Sequence, residues 1–206
     1  MIGWKATENP EEIIAVANII RKLPTKVELT EAEVVRLKPL GTGARVCVDT
    51  CDILRPREGV LVGSQSSGLF LVESETMENP HVELRPFRVN AGAAASYLLA
   101  SLDRTRYLSE LKGGDEVMIV DSEGNTRTTN VCRAKIEWRP MILLEAKSTG
   151  RNFNIVLQNA ETIRLVTVHG SKSISEIKPG DKILMRIETG GRHFGTRVEQ
   201  ESVIER

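Results

Sequence analysis

Residues 59–74, GVLVGSQSSGLFLVES, decide the fold. Two short apolar runs, Gly59–Ser64 and Gly68–Ser74, are rich in Val, Leu and Phe and too short for helices, and each reads as a strand. The same pattern continues in both directions. Before it stand KVELTEAEVVRLKPL and ARVCVDT, and after it DEVMIV, NVCRAKIEW, MILLEA, NFNIVL, ETIRLVTV, DKILMRI and TRVEQESVI. The punctuation between runs is RPREG, DSEGN, STGRN, HGSK and ETGG, which supplies the Gly, Pro, Asn, Asp and Ser that tight turns require. The expected fold is mainly β within an α+β class: a largely antiparallel domain, barrel-like or sandwich-like. The one helical candidate inside it is the small-residue run GAAASYLLASL.

The N-terminus reads differently. IGWKA (Ile2 to Ala6) is a short apolar strand, and ENPEEIIAVANIIRKL that follows is a helix. Asn9 is its N-cap, Pro10 occupies the first helical position, and Glu12 stands three residues past the cap. Ile13, Ala17 and Ile20, with Val16 or Leu23, form one apolar stripe, and Pro24 ends the helix. This is a single strand–helix unit, and its stripe must be covered by the β domain or by another subunit.

Composition excludes several classes. Lys+Arg and Asp+Glu number 28 each, so no global basic field argues for nucleic acid. Aromatic residues make up only 4%, too few for a base-stacking platform. No run of about 18 apolar residues is present to span a membrane as a helix. The first residues, MIGWKATENPEE, lack the basic and apolar regions of a secretory signal. Three cysteines, an odd number, do not make a disulfide framework, and a cytoplasmic setting is expected.

One module occurs twice. LSELKGGDEVMI starts at Leu108 and ISEIKPGDKILM at Ile174. In each, apolar residues flank Ser-Glu, and a Lys-x-Gly-Asp turn leads into an apolar strand. Gly114 and Gly180 permit the bend, and the following Asp caps it. Turn chemistry suffices to explain the duplication.

Few side chains offer chemistry. Alternation along CVDTC puts Cys47, Asp49 and Cys51 on one strand face, but no fourth ligand at pairing spacing is visible and no metal is expected. Cys132 stands alone in a strand. PLGTGAR has two glycines without a strand-to-helix context, so it is no dinucleotide fingerprint. Three polar constellations remain. Arg85, Arg88 and Asn90 in RPFRVNAG present forked donors suited to a carboxylate or phosphate. VESET carries Glu73 and Glu75, and GGRHFG carries Arg192 and His193 between glycines.

Several stretches, taken together, resemble the 3-dehydroquinate synthase II family, the archaeal-type enzyme: VCVDTCDILRPREGVLVGSQSSGLFLVESETMENP, RPFRVNAG, TRYLSELKGGDEVMIVD, LQNAETIRLV and GRHFG. The likeness runs in register from about Thr42 to the C-terminus. It implies an NAD-dependent oxidative deamination, in which a 2-amino-3,7-dideoxy-hept-6-ulosonic acid is oxidised, loses ammonia and closes to 3-dehydroquinate. Arg85, Arg88, Asn90 and Arg192 would bind this carboxylate substrate, and His193 and Glu73 would be catalytic. The cofactor's position on the chain is not implied. Family members are longer at the N-terminus, with a barrel-like α/β region. Residues 1–40 read as the residual strand–helix–strand segment of that region, and 41–206 as the β-rich domain. The family pattern carries histidines where this chain has Glu73 and Ala95, and an alanine cannot relay a proton. Two readings follow: a shortened enzyme, or a non-catalytic carboxylate-binding β module. Either acts as a homo-oligomer or with a partner chain that supplies the missing region.

Overall fold

A computed structural model describes residues 9–13, 26–78, 83–188, 191–193 and 196–198, the last two groups by backbone alone. Fourteen strands occur among them: β1 (Thr30–Thr50), β2 (Gly59–Gln65), β3 (Gly68–Glu75), β4 (Arg85–Ala93), β5 (Tyr97–Ser101), β6 (Arg104–Tyr107), β7 (Glu116–Val120), β8 (Thr126–Ser148), β9 (Arg151–Gln158), β10 (Arg164–Thr167), β11 (Gly170–Ser173), β12 (Lys182–Ile187), β13 (Gly191–His193) and β14 (Thr196–Val198). The pairings between them are antiparallel, giving the sandwich-like β domain that the alternating runs called for. The opening stretch is the β2–β3 hairpin, with Gln65 opposite Gly68. Among the described residues no helix is long and apolar enough to cross a membrane.

At the N-terminus, residues 10–13 are helical and the Asn9 Oδ1 accepts the Glu11 N–H at 3.0 Å, the expected cap. The strand expected at residues 2–6, and the stripe beyond Ile13, lie outside the described residues. β1 runs unbroken through position 40, so residues 30–40 belong to the β domain and not to the preceding segment. The helix expected over GAAASYLLASL does not form. Gly92 adopts φ +121°, residues 94–96 turn, and Tyr97–Ser101 is a strand. A side chain at Gly92 would stand 2.7 Å from the Val156 carbonyl, so the small residues serve a tight bend.

β1 and β8 organise the fold. They pair from Glu33↔Lys147 to Thr50↔Val131. A straight strand of 23 residues would reach about 75 Å. Yet Lys26 bridges Asn125, just before β8, and the last residue of β8, Ser148, donates its Oγ–H to the Glu31 carbonyl at 2.7 Å. Residues 26 and 31 can be at most about 18 Å apart. The ribbon is therefore an arch. Its register breaks between Pro39 and Thr42, opposite Pro140, where the two prolines lack ladder donors.

The duplicated turns clasp this arch from its two halves. Gly114 donates its N–H to the Val131 carbonyl on β8, and Gly180 donates to the Val34 carbonyl on β1. Both glycines adopt φ +92°, and the Asp115 and Asp181 carboxylates accept the Lys112 and Lys178 N–H groups. β7 then pairs β8, a strand of the second half, while β12 pairs β1, a strand of the first. Each half covers the other's long strand. The core between them, around Phe70, Leu98, Leu144, Phe153, Ile155 and Leu157, is fully enclosed. Each such side chain contributes about 1.5–3 kcal/mol.

The cysteines overturn one expectation. Cys51, just past β1, is disulfide-bonded to Cys132 on β8, 81 residues away, while Cys47 is free and buried. Sequence spacing gave no sign of the pair, because only the β1–β8 register brings the two together. Closing so long a loop restricts the unfolded chain, so the Cys51→Ser/Cys132→Ser variant should lose about 2–4 kcal/mol in urea denaturation while still folding. Reductant should lower the melting temperature of the wild type and leave the variant unchanged.

Candidate functional site

The β1–β4 and β1–β8 registers build a cleft on the outer face of three strands. Along β1, Val46 and Val48 point to the core, so Arg45, Cys47 and Asp49 share the opposite face. Opposite them on β4, Asn90 faces Cys47 and Arg88 faces Asp49. On β8, Glu137 faces Arg45, Lys135 faces Cys47, and Arg133 faces Asp49. Glu75 of β3, Arg139, Gln158 and Thr162 complete a cavity of about 390 Å³ together with Arg85.

Asp49 is the anchor. It is buried, its Oδ1 accepts the Arg88 Nε–H at 2.6 Å and its Oδ2 accepts the Arg88 Nη2–H at 2.9 Å. Arg133 adds two further bonds to Oδ2, at 2.9 and 2.6 Å. Burial alone would raise the carboxyl, but the hydrogen bonds from Arg88 and Arg133 outweigh it and hold Asp49 below the usual carboxylate range. Arg88 is raised in turn, first by that hydrogen bond. Its fork is thus largely committed to Asp49.

Arg85 is freer. Its side chain is 40% exposed, and among the described residues its ion-pair partner is Glu75, with Oε2 at 3.3 Å. Glu75 itself is raised above the usual carboxylate range by burial, with Arg85 and Arg88 pulling the other way. The free thiol of Cys47 is likewise raised by burial, against Arg45 and Arg88, so it stays neutral beside the Arg45 Nη1 that donates to it. Asn90 donates its Nδ2–H to Gln158 at 2.9 Å, while its buried Oδ1 has no partner among the described residues. A ligand donor would satisfy that oxygen.

The second cationic focus surrounds Glu137. Arg45 reaches it at 2.8 Å, Arg139 at 2.9 Å and Lys135 at 3.2 Å. The Lys135 hydrogen bond, foremost among these influences, keeps the Glu137 carboxyl below its ordinary value.

Of the residues expected from the sequence, Arg85, Arg88 and Asn90 come together in this cleft. Glu73 does not line it. It is fully buried, its Oε1 accepts the Arg57 N–H at 2.7 Å, and Arg164 lies 3.7 Å from its Oε2. Glu75, two positions on and on the same strand face, is the carboxylate that reaches the cleft. Arg192 and His193 are in β13, which pairs β14, and β14 joins the sheet at Thr196↔Arg104 beside β6. Ala95 occupies an exposed turn after β4. Sequence reading missed Arg45, Lys135, Glu137 and Arg139. The alternating charges of KIEWR over residues 135–139 were the available signal, but not the strand they would face.

The family model for the 3-dehydroquinate synthase II C-terminal domain matches residues 31–206. A 3-dehydroquinate synthase of Methanothrix thermoacetophila is 54% identical, over 97% of this chain and 55% of its own length. One of Methanocaldococcus jannaschii is 49% identical over 97% of this chain and 55% of its own. A 3-dehydroquinate synthase homolog of Aquifex aeolicus is 50% identical over 95% of this chain and 59% of its own. The chain thus spans little more than half the length of these relatives. No solved structure matches. With its cleft built on the matched β strands, the chain belongs to the 3-dehydroquinate synthase II family.

Proposed function

We propose that the cleft binds the 2-amino-3,7-dideoxy-hept-6-ulosonic acid of a cytoplasmic 3-dehydroquinate synthase reaction. The observation that carries this reading is that one cavity holds both the half-exposed Arg85 fork and the buried Asn90 Oδ1, which has no partner among the described residues. An amino-hydroxy acid offers both complements: a carboxylate for the guanidinium, and an ammonium or hydroxyl donor for the carboxamide. Arg88, fixed by Asp49, lends positive potential beside it. Glu75, buried and raised, holds or takes a proton from the bound substrate. His193 and Arg192 are assigned to the same reaction by their GRHFG motif alone.

NAD, which the family activity implies, would accept the hydride. The cationic group around Glu137, with the buried Nε of Arg45 that has no partner among the described residues, fits the negative charge such a cofactor carries. Loss of ammonia from the oxidised carbon consumes a water, which the open, half-exposed cleft admits, and ring closure then requires an acid–base group held in place, a role that falls to Glu75.

Steady-state NADH formation with the aminoheptulosonate tests the reading. The chain alone should turn over far below about 1 per second, the low end of the usual enzymatic range, and gain activity when a polypeptide carrying the relatives' remaining region is added. A non-catalytic module would bind the substrate and stay inactive with that addition. The alanine at position 95 and the enclosed Glu73, where the family pattern has histidines, favour this second reading.

Binding separates the arginines. Arg85→Leu should weaken the affinity for quinate, used as a carboxylate probe in calorimetry, by about tenfold or more with an unchanged melting temperature. Arg88→Leu should weaken binding and also destabilise the fold, since Asp49 then loses its buried partner. Equal binding by wild type and Arg85→Leu would refute the assignment.

A further inference from the structure

Glu137 is one carboxylate holding three cations, so among the described residues two positive charges in this part of the cleft are left unbalanced. Water and counterions screen the two half-exposed cations, and an anion that displaces them meets this excess positive charge. Arg45 forms the floor, almost wholly buried, with its Nη2 on Glu137, its Nη1 on Cys47 and no partner for its Nε–H among the described residues. Lys135 and Arg139, 45% and 46% exposed, stand at the rim and can move onto a ligand. This group belongs to β8 and β1, whereas Arg85 and Glu75 belong to β4 and β3 on the other side of β1. Strands two apart are separated by about 10 Å, enough for two ligand groups rather than one.

We propose that Arg45, Lys135 and Arg139 form a phosphate subsite, distinct from the carboxylate end at Arg85. A carboxylate would cancel only one of the two excess charges. A phosphate or pyrophosphate carries about two or more and presents several acceptor oxygens, matching a guanidinium floor flanked by two mobile cations. The subsite rests on the cofactor reading above and deepens it, supplying the anchor that a dinucleotide would need on a chain without a glycine-rich fingerprint. The same chemistry would hold a free phosphate or pyrophosphate, and the ligands tested separate these sources.

The test is calorimetry on the full chain at fixed ionic strength with pyrophosphate, inorganic phosphate, NAD and nicotinamide riboside, which lacks the pyrophosphate. Pyrophosphate and NAD should bind and the riboside should not. The Lys135→Gln/Arg139→Gln variant should weaken both by about tenfold or more while quinate binding is retained. Arg85→Leu should show the converse. Both rim side chains are half-exposed, so the double variant should melt with the wild type, and Arg45→Lys, which keeps the charge but loses the fork, provides an independent check. Binding of the inorganic anions without NAD would keep the subsite and assign it to a free phosphate. Failure of pyrophosphate to bind, or equal binding by the double variant, would overturn the proposal. Loss of quinate binding alone would count against the substrate reading and leave this subsite standing.

Discussion

The Asp49→Ala variant is expected to lose about 3–5 kcal/mol of stability, because a buried ion pair with one partner removed leaves the other charge uncompensated. Arg88 is the partner that matters. Its side chain is 11% exposed, Asp49's is 5%, and two bonds join them. Arg133 is 60% exposed and can turn to water, so its share is small. Urea denaturation at neutral pH measures the loss, and a variant within about 1 kcal/mol of wild type would show that Arg88 is solvated after all. The acid side gives a second readout. Asp49 is held below its ordinary value, so its stabilisation is present above an unfolded-state pKa of about 3.9 and is lost as pH falls through the lower folded value. Wild type should therefore weaken on acidification more than Asp49→Ala, and the two curves should converge.

The second large effect is on turnover. Glu75→Gln should lower the rate by about 10²–10⁴-fold, the usual contribution of a positioned acid or base, measured with the polypeptide that completes the enzyme. Its stability should move the other way from Asp49→Ala. Burial raises the Glu75 carboxyl, so the fold favours the protonated form, and ionisation at neutral pH costs stability that glutamine does not. An unchanged or raised melting temperature with a collapsed rate separates a chemical role from a structural one. Glu73→Gln should do the reverse, since Glu73 accepts the Arg57 N–H and lies against Arg164 without reaching the cleft. A Glu75→Gln rate within a few-fold of wild type would remove Glu75 from the mechanism.

Much of this protein was legible in its residues. Short apolar runs between turn residues gave the antiparallel β class, because side-chain alternation and turn chemistry are local properties. The Lys-x-Gly-Asp repeats gave two identical turns for the same reason, and their glycines do adopt the same φ. Asn9 was readable as a cap, and RPFRVN as a set of forked donors, since both depend on neighbours within a few residues.

What stayed hidden depends on which strand meets which. Cys51 and Cys132 are 81 residues apart, and nothing local couples them. The small residues of GAAAS read as helix formers until Gly92 is seen pressed toward the Val156 carbonyl. Glu73 and Glu75 share a strand face, so alternation cannot distinguish them. Only packing decides that the first is enclosed and the second lines a cavity. Arg45 and KIEWR lie some ninety residues apart in the chain and meet because an arched pair of long strands places Arg45 opposite Glu137. Period-two patterning tells a residue which face it takes. The register that supplies its neighbour is set by the whole core, because a one-residue slip would turn Val46 and Val48 out to water and bring Arg45, Cys47 and Asp49 inside.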